Sequence, residues 1–322
     1  MTARGSVVGI LALVVALAAC DPFGLPATRE LEASVEDMLS ASAGYEITGS
    51  YTHSEAQWTI DVQFARPSSR HIALSGKGVS LEAIIVGQDA YFHGQQFLAA
   101  QIGQNPLAPG LVQAAGNAWW KDSVSQVPAM PDFMQGAAFR STFLGSAVTQ
   151  RTDHQSVGGV DAVELSGSRA DVYIASVAPF HLLRVHLKKG VEVDGLTEAD
   201  LTYSNVGKDF GIAAPTDVID FANLSTLPPI YTVVSVDTSG CGLPCVVSAR
   251  IKNLGGTASA KAPSIVTFTM RAAGSSTPIG SCGATVQPDV GYNSTTTVSC
   301  TIGGQPVNAA TVTAAADNPG RA

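Results

Sequence analysis

The chain has 322 residues, with 26 acidic against 18 basic side chains and a formal charge of −8. That balance argues against nucleic acid as a partner, because phosphates call for basic patches. The acidity belongs to the first part of the chain: from Ile230 onward Arg250, Lys252, Lys261, Arg271 and Arg321 stand against only Asp237, Asp289 and Asp317.

At the N-terminus Arg4 precedes an apolar run from Val7 to Ala19, the length of a signal-peptide core and short of the roughly 20 residues that span a bilayer. The run ends in Leu17-Ala18-Ala19-Cys20, which resembles the lipobox of bacterial lipoproteins. The resemblance implies a signal peptide over 1–19, acyl chains on Cys20, a lipidated tether over 20–27, and a protein anchored to the cell membrane on its extracytoplasmic side. Two or more acyl chains hold stably where one holds only marginally. The roughly 300 residues left suggest two domains.

Leu31, Val35, Met38 and Leu39 recur at helical spacing and predict a helix over Thr28–Ser42, with Thr28 as N-cap. The period then becomes two. Trp58, Ile60, Val62 and Phe64 alternate with polar residues, and strands follow at Arg70–Ser75, Val79–Gly87 and Asp89–His93, separated by turn signals such as Gly76-Lys77-Gly78. Short helices are expected over Gln95–Ile102 and Leu107–Ala115, a strand over Asn117–Asp122, and a helix over Pro131–Leu144. Strands resume at Ser146–Arg151, Val160–Ser166, Ala170–Ser176, Phe180–Lys188 and Glu198–Ser204. The order fits an α+β class, with helices laid on one face of an antiparallel sheet.

Several phrases carry a likeness: Gly87-Gln88-Asp89-Ala90-Tyr91-Phe92, Ala118-Trp119-Trp120-Lys121, Val157-Gly158-Gly159-Val160-Asp161-Ala162, Ala178-Pro179-Phe180-His181-Leu182-Leu183-Arg184 and Leu201-Thr202-Tyr203-Ser204-Asn205-Val206-Gly207. They resemble actinobacterial lipoproteins of the LolA-like superfamily, including the LppX/LprG group. The likeness covers roughly Thr28 to Phe221. It implies a curved antiparallel half-barrel wrapped on helices, spanning 28–222, with an apolar cavity for lipid.

Leu227-Pro228-Pro229 closes a linker over 223–229. Beyond it, Tyr231–Val236, Val246–Asn253, Ser264–Arg271, Gly283–Pro288, Ser294–Thr301 and Ala309–Ala314 are Val- and Thr-rich segments at regular spacing, the pattern of an all-β sandwich over 230–322. Ala249-Arg250-Ile251-Lys252-Asn253-Leu254-Gly255-Gly256-Thr257-Ala258 resembles a turn of CARDB-type immunoglobulin-like domains, which implies a spacer or contact module. Cys241, Cys245, Cys282 and Cys300 all lie in this segment, an even number in an exported chain. Three pairings are open. Cys241 with Cys245 and Cys282 with Cys300 is favoured, because the first pair closes on Gly242-Leu243-Pro244 and the second flanks a hairpin-like stretch.

No Gly-x-Ser-x-Gly elbow, His-Glu-x-x-His or P-loop occurs in the sequence. His181 and His186 sit five apart on a predicted strand and so on opposite faces, which removes them as joint ligands. No catalytic residue, metal or cofactor is therefore expected. The candidate ligand site is the apolar stripe of Trp58, Ile60, Val62, Phe64, Leu81, Ile85, Tyr91, Phe97 and Leu98, with the small residues Ala99, Ala100, Ala114, Ala115, Gly116, Ala137 and Ala138 around the helices leaving room. The leading expectation is non-catalytic binding or transfer of a lipid or other apolar molecule. The alternative is a surface interaction protein whose first domain has a filled core and whose sandwich contacts an envelope protein.

Overall fold

A computed structural model describes residues 24–103, 108–127, 136–303 and 310–321. The chain divides into two compact units that are not consecutive stretches. The first contains residues up to Gln88 together with Val124–Ala214, and the second contains Asp89–Ser123 together with Pro215 onward.

Unit 1 opens with helix α1, Thr28–Ala41, whose Leu31, Val35, Met38 and Leu39 are buried as their spacing requires. Thr28 is the first helical residue and not the cap; Ala27 holds that position and caps with no side chain. The helix stops because Ser42 turns to an extended conformation, its N–H donating to the Met38 carbonyl. Strands β1 (Gly44–His53), β2 (Ala56–Ala65), β3 (Ser69–Gly76) and β4 (Val79–Val86) follow as a meander.

After the excursion through the second unit come helix α4, Gly136–Phe139, continued by a π turn over Arg140–Leu144, and strands β7 (Gln150–Val157), β8 (Val160–Ser166), β9 (Ala170–Ala175), β10 (Leu182–Leu187), β11 (Glu192–Val193) and β12 (Leu196–Ser204). Residues 131–135 of the helix expected over Pro131–Leu144 lie outside the described residues. Strand β7 begins four residues later than the expected Ser146 and carries a bulge between Thr152 and Gln155.

Within this unit the strands run β4-β3-β2-β1-β12-β10-β9-β8-β7, with β11 beside β12. All of these pairings are antiparallel. The register aligns one row straight across the sheet: Leu81, Leu74, Ile60, Gly49, Leu201, Val185, Val172 and Leu165. Every side chain in that row is buried, which is how period-two patterning becomes a core. Gly49 is required in it, since a Cβ there would overlap the Asp200 carbonyl. A neighbouring row stacks Tyr45 on Phe64 at 4.9 Å, with Tyr203 at 6.4 Å from Tyr45. Gly136 serves a similar purpose between α4 and α1. Its N–H donates to Ser40 Oγ at 3.1 Å, and a methyl group at that position would collide with the Glu36 carbonyl.

Unit 2 begins with β5 (Asp89–His93), helices α2 (Gln95–Ile102) and α3 (Ala108–Ala115), and β6 (Trp119–Asp122). β5 pairs with β6 antiparallel, and β6 pairs in parallel with β13, Val218–Asp220. Phe92, Phe97 and Trp120 stack at 6.0–6.4 Å. The rest is all-β: β14 (Tyr231–Asp237), β15 (Cys245–Asn253), β16 (Ile265–Arg271), β17 (Pro278–Thr285), β18 (Thr295–Ile302) and β19 (Thr311–Asp317). These strands form two three-stranded antiparallel sheets, β14-β15-β18 and β17-β16-β19. Val247, Ala249 and Ile251 of one sheet share a core with Val266, Phe268 and Met270 of the other. Strand β17 starts at Pro278, five residues before the expected Gly283, and proline is tolerated as the first residue of a strand. Cys241 pairs with Cys245, and Cys282 with Cys300, in the favoured connectivity.

Buried asparagines hold this unit together. Asn253 is fully buried; its Oδ1 accepts from the Ile230 and Gly255 N–H groups, and its Nδ2 donates to the Gly256 and Val290 carbonyls. The Asn253–Gly256 phrase therefore has a structural reason, since a buried backbone needs its polar groups satisfied. Asn318 binds both the N–H and the carbonyl of Tyr231.

Candidate binding cavity

A cavity of about 710 Å³ lies within unit 2, inside the range typical of small-molecule sites. Helix α2 contributes Gln95 and Ala99, one turn apart and so on one side of the helix, and ends at Gly103 with φ +65°. Helix α3 contributes Ala108, Pro109, Val112 and Gln113, and ends at Gly116, whose N–H donates to the Val112 carbonyl. Ala99, Gly103, Ala108 and Gly116 project nothing past Cβ, so the space between the two helices stays unfilled.

The last wall comes from far along the chain. Lys261 and Pro319 complete the cavity, held by the bridge between Ala260 and Arg321 and by the Lys261 N–H on the Gly320 carbonyl at 3.0 Å. Gln95 Nε2 donates to the Gly116 carbonyl at 2.5 Å and ties the start of α2 to the end of α3. Arg321 pairs with Asp217. Lys261 forms no ion pair among the described residues, so the site offers one cation beside a wall of small and apolar residues interrupted by Gln95 and Gln113.

The expected ligand stripe distributes differently. Ile60, Val62, Phe64, Leu81 and Ile85 are buried in unit 1, while Trp58 is only partly buried. In unit 2 Leu98 is buried and Phe97 half-buried. Tyr91 does not point inward: Ala90 and Phe92 fill the buried side of β5, and strand alternation turns Tyr91 to the other face opposite Lys121. Phe92 is the buried aromatic here, and strict parity from Ala90 would have found it. None of the nine lines the cavity between α2 and α3 or two smaller ones of about 400 and 420 Å³. Ala99 and Gly116, counted in the sequence only as small residues that leave room, do line it.

Charged groups sit on the outer face of unit 1. Arg184 grips Asp200 with two hydrogen bonds, of 2.7 and 2.5 Å, which holds that carboxyl below its usual range. Burial works to raise Glu46, but donation from Gln63, Asn205 and Ser204 outweighs it and leaves the carboxyl low. Asp61 is raised by burial and by the neighbouring Glu46 charge. Ser176 Oγ donates to Asp161 Oδ2 at 2.5 Å, and His154 Nδ1 lies 3.4 Å from the same carboxylate. The carboxylate thus sits between the serine and the histidine, an order in which the imidazole does not receive the hydroxyl proton. Among the described residues no group of three or more His, Cys, Asp or Glu side chains is placed to hold a metal ion, and no helix is long and apolar enough to cross a membrane.

No family model matches the chain, and no curated protein matches it. Among solved structures it is similar to one titled as the complex of Pseudomonas aeruginosa MucA/MucB, at 13% identity over 84% of this chain and 93% of the other, with a TM-score of 0.31. Similar too are a structure of MucB in complex with MucA(peri), at 11% identity over 84% and 91% with a TM-score of 0.29, and one of MucB, at 10% over 87% and 94% with a TM-score of 0.24. Superpositions this loose carry no argument about fold or function.

Proposed function

We propose that this protein is a lipid-anchored envelope protein that binds an apolar or amphiphilic molecule without covalent chemistry. The observation that carries the reading is the cavity of about 710 Å³ between α2 and α3, walled by alanine, glycine, proline and valine together with Gln95 and Gln113, and bordered by Lys261. The resemblance to LolA-like lipoproteins and the lipobox at Cys20 support it. Burying about ten methylenes at ~0.8 kcal/mol each contributes roughly 8 kcal/mol before association costs, so an acyl chain needs no further chemistry to be held. Lys261 would face a carboxylate or phosphate at its end.

Lipid extraction and mass spectrometry of the soluble Cys20→Ala form tests this directly. An apolar ligand should co-purify. Ala99→Trp, at an exposed position on the cavity wall, should lower its amount without moving the melting temperature. A protein that carries no such ligand and takes up no fluorescent fatty acid would sink the proposal.

A second reading has its own observation. Leu243 and Val246 are both exposed in unit 2, and the Val246 N–H donates to the Gly240 carbonyl across the Cys241–Cys245 loop. Exposed apolar side chains of this kind suit a protein contact. A partner lost on Leu243→Asp would favour the interaction module.

A further inference from the structure

The tether and the end of the sheet it meets define a second surface. Gly24, Leu25, Pro26, Ala27 and Glu30 line a cavity of about 420 Å³ in unit 1 together with Ser176, Val177, Ala178 and Phe180. The loop between β9 and β10 is therefore the part of the sheet beside the incoming chain. Its Val177 is 73% exposed, and Val160 is 44% exposed. The register brings those two together, since Ala162 pairs with Ala175 and the Ser176 N–H donates to the Asp161 carbonyl at 3.0 Å. Val157, paired with Val160 across the Gly158-Gly159 turn, completes an apolar tip.

Resting on the reading of Cys20 as the acylated residue, we infer that this tip, Val160 and Val177 with the Ala178–Phe180 loop, lies on the lipid bilayer that holds the anchor. Four residue steps separate Cys20 from Gly24, at most about 14 Å of extended chain at ~3.6 Å each. The headgroup layer on one side of a bilayer is itself about 5–8 Å deep. The residues beside Gly24 thus cannot stand far from the membrane surface. Exposed valines gather at the tether end, and charged residues occur at both ends of the sheet: Glu55, Lys77, Arg169, Lys188 and Asp194 at or beside the far hairpins, Arg66, Arg70 and Lys208 at the tether end. The ionisable neighbours of the tip carry both signs: Glu30 and Asp161 on one hand, and on the other Arg151, which donates to the Pro26 carbonyl, and Arg184, which lines a cavity with Val157. On zwitterionic lipid the contact is apolar, and salt changes it little.

The test uses the full lipidated chain in phosphatidylcholine vesicles. With Cys20 acylated and the other four cysteines paired, an introduced thiol takes a polarity-sensitive fluorophore selectively. A probe at Val177→Cys should emit at shorter wavelength on vesicles than in water and lose emission to nitroxide-labelled lipid, at low and high salt alike. A probe at Lys77→Cys, on the hairpin at the far end of the sheet, should do neither. In Val177→Asp, a probe at Val160→Cys should lose its lipid quenching while the protein stays bound through its acyl chains. If the acylated protein floats with vesicles and the Val177 probe remains in water, the inference fails and the anchor stands. If Cys20 is unmodified and the protein does not float, the anchor reading fails and takes the inference with it.

Discussion

The two units bury apolar surface by different routes. In unit 1 most hydrogen-bonded neighbours are also neighbours in sequence, and one row of buried side chains runs across the sheet from Leu81 to Leu165, interrupted at Gly49, which lines one of the unit's two smaller cavities. In unit 2 the walls of the cavity come from residues more than 140 positions apart, Gln95 to Lys261 and Pro319. Space persists where small helical residues meet a distant segment, and it closes where alternating large residues meet their sequence neighbours. A local meander fills itself, whereas a site assembled from far-apart segments can be left open.

The sharpest way to break this contrast is to cut into the row. Phe64 is buried and stacked on Tyr45, so Phe64→Ala should cost about 3–5 kcal/mol. Hydrogen exchange should report the loss in peptides of unit 1. A loss below about 1 kcal/mol would mean that this core has slack, and the difference between the units would disappear.

A somewhat smaller effect should mark unit 2, where polar groups rather than aromatic stacking join distant segments. Asn253→Ala leaves two buried N–H donors and two carbonyls without their partner. At about 1–3 kcal/mol for an unsatisfied buried group, the variant should lose roughly 2–3 kcal/mol, confined to unit 2 peptides. An unchanged melt would show that water replaces the side chain.

The smallest effect is a pH dependence. Burial, aided by the Asp289 charge and opposed by the Val290 N–H, raises the Tyr231 phenol to about 12 from 10.0. The folded state then holds this proton more tightly than the unfolded chain. Its contribution is complete below pH 10 and is lost as pH rises through about 12. Spectrophotometric titration paired with melts over that window should show unit 2 weakening, and Tyr231→Phe should flatten the slope. A slope that survives in Tyr231→Phe assigns the loss to another group.

Much of this fold was legible because its signals are local. The α1 stripe at Leu31, Val35, Met38 and Leu39 and the period-two run at Trp58 to Phe64 each specify their own burial. The cysteine pairs are separated by 4 and 18 positions and close on their own turns. Strand β1 escaped detection for a physical reason. Its buried parity of Tyr45, Ile47 and Tyr51 is interrupted by Gly49, where Asp200 approaches, and its other parity is polar. Strand β7 was shifted because Val148 reads as apolar while the paired residues from Gln150 are polar and bulged. The cavity was only half visible. Ala99 and Gly116 could be counted as small, but nothing local marks Lys261 or Pro319 as their neighbours.

The chain passes between the units three times, after Gln88, Ser123 and Ala214, and this gives the molecule a timetable. Unit 1 is fully supplied once Ala214 has emerged. The 89–123 segment, with Phe92, Phe97 and Trp120, has by then been waiting for β13 and for the tail that closes the cavity. About 200 residues separate Ser123 from Arg321, or roughly 10–40 s at synthesis rates of 5–20 residues per second. For that interval α2 and α3 lack the Lys261 and Pro319 wall of their cavity, and for about half of it β6 lacks its partner β13. Biogenesis of this protein should therefore lean on holding chaperones in its compartment more heavily than a chain whose domains emerge one after the other.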